Sequence, residues 1–109
     1  CVAYARYTNI LRFKISGNVG STSVSSTVSV TLNGNQNSLT EVILERSSDG
    51  GNSYYDYRTL ESKSSTSATY SVYASKSGLS SAYDYRVKAE LYVYDDAGNE
   101  IEYDCTYLD

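Results

Sequence analysis

Hydrophobic residues recur at every second position along most of this chain, and Gly, Asn, Asp and Ser interrupt the alternation at intervals. A period of two sends successive side chains to opposite faces of an extended backbone, so the pattern predicts half-buried β-strands rather than helices. The first predicted strand covers residues 7–16, with Leu11, Phe13 and Ile15 on one face and Arg12 and Lys14 on the other; Gly17-Asn18-Val19-Gly20 breaks it. A second covers residues 22–32, with Val24, Ser26, Val28, Val30 and Leu32 inward. It ends at Asn33-Gly34-Asn35, which tolerates the positive φ of a turn. The third, residues 39–47, sets Val42 and Leu44 against Glu41, Ile43 and Glu45.

Asp49-Gly50-Gly51-Asn52 then predicts a tight hairpin. The return strand, residues 54–63, alternates weakly: Tyr55 and Tyr57 oppose Tyr54, Asp56, Arg58 and Leu60, as in an edge strand with a polar face. A fifth strand, residues 68–74, groups Ala68, Tyr70, Val72 and Ala74. The sixth, residues 83–94, places Tyr83, Tyr85, Val87, Ala89, Leu91 and Val93 inward and Asp84, Arg86, Lys88, Glu90, Tyr92 and Tyr94 outward. After a turn at Asp95-Asp96-Ala97-Gly98-Asn99, Ile101, Tyr103, Cys105 and Tyr107 form the last predicted inward row. Seven strands without a helical pattern predict an all-β, seven-stranded antiparallel sandwich. At 109 residues this is one domain. It is assigned to residues 6–109, with residues 1–5 a signal-peptide remnant or N-terminal extension.

Composition narrows the partners. Nine basic against 13 acidic residues leave a net charge of −4 with the cations scattered. Phosphate backbones are bound through clustered Lys and Arg, so no nucleic-acid partner is expected, and anionic lipid heads are disfavoured for the same reason. No run of 18 apolar residues occurs, so no membrane insertion is expected. The chain is expected to be a monomer. The Ser-rich stretches at residues 21–27 and 61–69 carry apolar residues at period two and read as strands rather than linkers.

The chemistry of catalysis is largely missing. With no His, the Ser-His-Asp and Cys-His arrangements cannot be built, and the commonest transition-metal ligand is absent. Ser62-Lys63 and Ser75-Lys76 fall in turn-like stretches rather than on the helix that Ser-Lys chemistry uses. Nothing resembles a phosphate-cradling Gly loop. The chain is expected to be no enzyme and to need no cofactor. Asp95, Asp96, Asn99 and Glu100, with Glu102 and Asp104 nearby, offer hard oxygen ligands as candidates for Ca²⁺; the plainer role of such residues is to shape a hairpin tip. Lys14 and Lys88 lie on the predicted polar faces, which argues against a buried isopeptide bond.

The 13 tyrosines, beside a single Phe, are the feature that points to function. Tyr70, Tyr83, Tyr85, Tyr103 and Tyr107 are predicted inward as packing residues. Tyr92, Tyr94, Tyr54, Tyr55 and Tyr57 are the candidate ligand contacts, with Tyr73 also predicted exposed. Exposed Tyr offers large, stiff, amphipathic contact area whose ring faces stack on sugars, although outward Tyr pairs also stabilise sheets across strands.

Residues 79–89, Leu-Ser-Ser-Ala-Tyr-Asp-Tyr-Arg-Val-Lys-Ala, resemble the tyrosine corner of fibronectin type III domains, with Leu79, Tyr85, Val87 and Ala89 at the matching positions. The resemblance implies an immunoglobulin/fibronectin type III-like sandwich in which the Tyr85 hydroxyl bonds backbone just upstream. Ser81 stands where that family usually has Pro, and its core Trp is absent. The chain is also similar to a group of small secreted Gram-positive bacterial β-sandwich proteins. They share the Arg-Tyr-Thr-Asn-Ile at residues 6–10 and the Tyr-x-Tyr-Arg-Val-Lys to Gly-Asn-x-Ile-Glu stretch at residues 83–102. That likeness implies export and a stand-alone domain, and carries no activity with it.

Cys1 and Cys105 are the only cysteines. A disulfide clamping the first and last strands is one reading. A second takes Ala3-Tyr4-Ala5 as a signal-peptidase site, which removes Cys1 and leaves Cys105 a lone thiol. A third makes Cys1 the lipidated first residue of a lipoprotein. The functional expectation is a secreted, non-enzymatic binding or interaction module that contacts a cell-surface glycan or protein through exposed tyrosines. The alternative is a passive structural or matrix spacer with no specific small ligand.

Overall fold

In the computed structural model, which describes residues 7–109, seven strands pair antiparallel in two sheets. They are β1 (Ile10–Val19), β2 (Val24–Leu32), β3 (Asn37–Ser47), β4 (Tyr55–Ser65), β5 (Thr69–Lys76), β6 (Asp84–Tyr94) and β7 (Glu100–Leu108). One sheet has the order β1-β2-β5 and the other β4-β3-β6-β7, so the fold is the expected seven-stranded sandwich. Among the described residues there is no helix.

The core forms between the inner faces of β2, β3 and β6, whose alternation is the strongest in the chain. β2 buries Val24, Ser26, Val28, Val30 and Leu32; β6 buries Tyr85, Val87, Ala89, Leu91 and Val93; β3 adds Val42 and Leu44. Each of these aliphatic side chains contributes about 1.5–3 kcal/mol when fully withdrawn from water. Tyr70 of β5 reaches across the core, with its hydroxyl 2.7 Å from Ser38 Oγ and 2.9 Å from Thr40 Oγ1, so the buried hydroxyls of β3 are satisfied. Where the chain passes from β5 to β6, Leu79 is buried and the Tyr85 hydroxyl donates to the Ser80 carbonyl at 2.7 Å.

Three expectations are corrected by pairing. β1 does not break at Gly17: it runs to Val19, and Gly17 pairs with Ser26 at φ +143°. A Cβ there would lie 2.1 Å from the Ser25 carbonyl oxygen, so the glycine serves a close approach of two backbones. Leu11 is not inward. Ile10 pairs with Leu32 and Arg12 with Thr31, leaving Leu11 as the extra residue of a bulge, 64% exposed, while Ile10, Phe13 and Ile15 make the inward row.

The last strand is inverted relative to expectation. Tyr92 pairs with Tyr103 and Val93 with Glu102, so Ile101, Tyr103, Cys105 and Tyr107 point away from the core and Glu102, Asp104, Thr106 and Leu108 point toward it. Antiparallel partners share a face, and β6 fixes which one. Polar Glu102 is accepted inside because its carboxylate receives hydrogen bonds from the backbone N–H of Thr8, Asn9 and Ile10 at 2.9–3.1 Å. On β3, Ile43 and Glu45 point outward as expected, yet both are buried, and Glu45 is paired with Arg86 and Lys88 of β6.

Candidate functional site

Arg46, at the end of β3, gathers tyrosines from two separate segments, β4 and the residue that precedes β6. Its guanidinium lies 3.8 Å from the ring centroid of Tyr57, 4.1 Å from that of Tyr83 and 5.5 Å from that of Tyr55. Its Nε donates to the Tyr55 hydroxyl at 2.7 Å. These contacts arise because Tyr55 pairs with Arg46 from β4 and Tyr85 pairs with it from β6, which brings the preceding Tyr83 alongside. A cation over aromatic rings is attracted by their quadrupoles. The β3–β4 hairpin is stiffened by Asp49, which accepts from the Ser53 amide at 2.9 Å and from the Ser47 and Ser53 hydroxyls. Hydrogen bonds from Ser47 and Ser53 hold its carboxyl down to about 2.

Beside this cluster, on the outer face of the four-stranded sheet, the charges are matched. Arg86 Nε contacts Glu45 Oε1 at 2.6 Å, and Lys88 Nζ lies 3.2 Å from Glu45 Oε2 and 3.0 Å from Asp56 Oδ1. Burial pushes the Lys88 ammonium down, but hydrogen bonds to Asp56 and Glu45 outweigh it and raise it to about 12. Arg86 is flanked by the rings of Tyr54 at 4.3 Å and Tyr107 at 4.2 Å. Among the described residues no carboxylate is paired with Arg46.

The candidate tyrosines therefore separate into two groups. Tyr55 and Tyr57 are 45% and 39% exposed at the Arg46 end, and Tyr54 is half-buried against Arg86. Tyr92 and Tyr94 lie at the opposite end of the same sheet. Tyr94 pairs with Asn37, the first residue of β3, nine positions and about 30 Å of strand from Arg46. Tyr92 is half-buried with its ring centroid 5.0 Å from that of Tyr103, whose hydroxyl donates to Glu90 at 2.5 Å. Burial and that bond push the Tyr103 phenol well above its ordinary range. Tyr94 borders an open groove of about 500 Å³ with Asn37, Ser38, Leu39 and residues 64–66. Tyr73, 63% exposed, stands on the other sheet.

The residues that organise the site, Arg46, Arg86, Tyr83 and Tyr107, were not singled out by the sequence. Alternation assigned Tyr83 and Tyr107 to the core and said nothing of Arg46. The four candidate Ca²⁺ ligands do not converge. Asp95 Oδ1 accepts the amides of Ala97 and Asn99 at 2.9 Å, its Oδ2 accepts Asn99 Nδ2 at 3.3 Å, and Asp96 and Glu100 are exposed. These bonds draw the Asp95 carboxyl below its usual range, with the Asn99 backbone bond foremost. Among the described residues no group of three or more Asp, Glu or Cys is placed to hold a metal ion. Cys105 is half-buried on β7 opposite Glu90. Cys1 and residues 1–5, on which the cysteine and signal-peptide readings rest, lie outside the described residues.

Compared with known proteins, the chain matches no family model, no curated protein and no solved structure.

Proposed function

We propose that this chain is a secreted, non-enzymatic binding module that contacts a cell-surface glycan or protein through the tyrosines around Arg46. The observation that carries the reading is that Tyr55 and Tyr57 are exposed and yet held in one setting, by Arg46 and by the Asp49 hairpin. Rigid aromatic area loses little conformational entropy on binding, which is why such residues dominate recognition surfaces. A fibronectin type III-like build is supported by the Leu79–Tyr85 corner. It is also supported by β4, which extends the β3 sheet rather than joining β5 as in constant-type immunoglobulin domains. A disulfide between Cys1 and Cys105 belongs to the same proposal.

A passive spacer is the second reading, and the other sheet favours it. The outward positions of β2 and β5 are Ser25, Thr27, Ser29, Thr31, Thr69, Ser71, Tyr73 and Ser75, a solvated hydroxyl surface with a single aromatic. The test is a pull-down of the purified chain against insoluble cell walls, polysaccharides, mucin and matrix proteins, with and without Ca²⁺. Saturable binding that Tyr55→Ala/Tyr57→Ala abolishes, in a variant with an unchanged urea midpoint, supports the module. No binding by the folded chain leaves the spacer.

A further inference from the structure

We propose that Arg46 is the recognition point for an acidic saccharide, its guanidinium pairing with the carboxylate of a uronic acid while Tyr55 and Tyr57 pack on the sugar. The inference deepens the binding-module reading and rests on it. On the neighbouring outer face the cations are neutralised, Arg86 by Glu45 and Lys88 by Glu45 and Asp56. On the Arg46 side, Arg58, 5.6 Å from the Tyr57 ring centroid, stands farther from the rings than Arg46 does. Among the described residues Arg46 has ring contacts and one hydrogen bond, through Nε to Tyr55, and no carboxylate partner. Its two Nη groups are left to bond an incoming oxyanion. A planar guanidinium held by aromatic rings is already oriented for two parallel N–H···O bonds, the geometry in which Arg recognises carboxylates.

The surroundings favour a sugar over an acidic peptide. A cavity of about 380 Å³ shares Tyr83 with the Arg46 cluster and is lined also by Tyr54, Ser21, Ser81, Asp84 and Asp109. Hydroxyls there donate to and accept from sugar hydroxyls, the carboxylates accept from them, and the rings of Tyr54 and Tyr83 offer stacking faces; an apolar peptide anchor finds little to fill. Asp84 and Asp109 also repel a densely charged chain. The fitting ligand is one whose anionic sugars are spaced by neutral ones.

The full chain, ¹⁵N-labelled, is titrated with a tetrasaccharide alternating glucuronate and N-acetylglucosamine, with its carboxyl-reduced form and with a glutamate-rich peptide. Expected are shifts centred on Arg46, Tyr55 and Tyr57, and at least about tenfold weaker binding both for the carboxyl-reduced sugar and for Arg46→Gln. Arg46→Lys keeps the charge without the fork and falls between. Urea midpoints show that the variants are folded. Equal affinity for the reduced sugar, or full affinity in Arg46→Gln, overturns the anion pairing while leaving a binding module in place. Tighter binding of the peptide overturns the saccharide assignment, and no binding to any of the three overturns the inference outright.

Discussion

The Glu102 carboxylate lies 2.9 Å from the backbone nitrogen of Ile10, a residue 92 positions earlier in the chain. Its two oxygens also accept the amides of Thr8 and Asn9 and the side chains of both, so one carboxylate fastens the start of β1 to β7. Glu102 is 5% exposed. A buried charge is tolerated only when donors surround it, and here they do.

Replacing Glu102 by Gln turns one acceptor oxygen into a donor that faces amide N–H groups. The expected loss of stability is about 2–3 kcal/mol, read from urea unfolding at pH 7. An unchanged midpoint contradicts the latch.

The same contact makes a pH prediction. Burial raises the Glu102 carboxyl, but the hydrogen bonds from Thr8 and Asn9 prevail and set it below its unfolded value of 4.5. A depressed folded value contributes stability that is complete above the unfolded value and fades as pH falls through the folded one. The wild-type midpoint is therefore expected to drop from pH 4.5 downward more steeply than that of Glu102→Gln. Parallel pH profiles argue that other carboxylates govern acid unfolding.

Tyr85→Phe removes the hydroxyl that bonds the Ser80 carbonyl and little else. The expected cost is about 1 kcal/mol, with β-sheet circular dichroism unchanged. A neutral substitution means that the crossover is held by Leu79 packing alone.

Gly17→Ala places a methyl group 2.1 Å from the Ser25 carbonyl oxygen at a φ that L-residues rarely adopt. β1 and β2 must part locally, at a cost of about 1–3 kcal/mol. Increased amide exchange confined to residues 15–19 and 24–28 is the expected signature. Wild-type protection there excludes the close approach.

The proposed Cys1–Cys105 bridge predicts no titratable thiol in the unreduced, denatured chain. It also predicts a fall in the unfolding midpoint on reduction, bounded by about 4–5 kcal/mol in the chain-entropy account. One thiol per chain supports removal of Cys1, and two exclude the bridge.

The strands at the centre of the sheets were legible because both of their ends and one whole face obey a local rule. Val24 to Leu32 and Tyr85 to Val93 alternate without interruption, and a strand whose inward row is apolar has one stable orientation. β4 was legible as an edge for the opposite reason: its inward row is poor, and two register shifts against β3 break its alternation. Elsewhere alternation misled. Leu11 is apolar but occupies a bulge, and Tyr103 and Tyr107 are large but face outward because the register with β6 puts Glu102 and Leu108 inside.

The candidate site divides in the same way. That tyrosines would be exposed on the hairpin return strand followed from the weak pattern of residues 54–63. That Tyr55, Tyr57 and Tyr83 would meet around Arg46 did not, because they come from segments up to 37 positions apart and only strand pairing makes them neighbours. By itself the sequence determined an all-β chain, its strand number and its central core, since these depend on side-chain period within single segments. Tertiary structure alone decided the face of β7, the place of Glu102 and the setting of Arg46, since each depends on where a distant backbone supplies its partner.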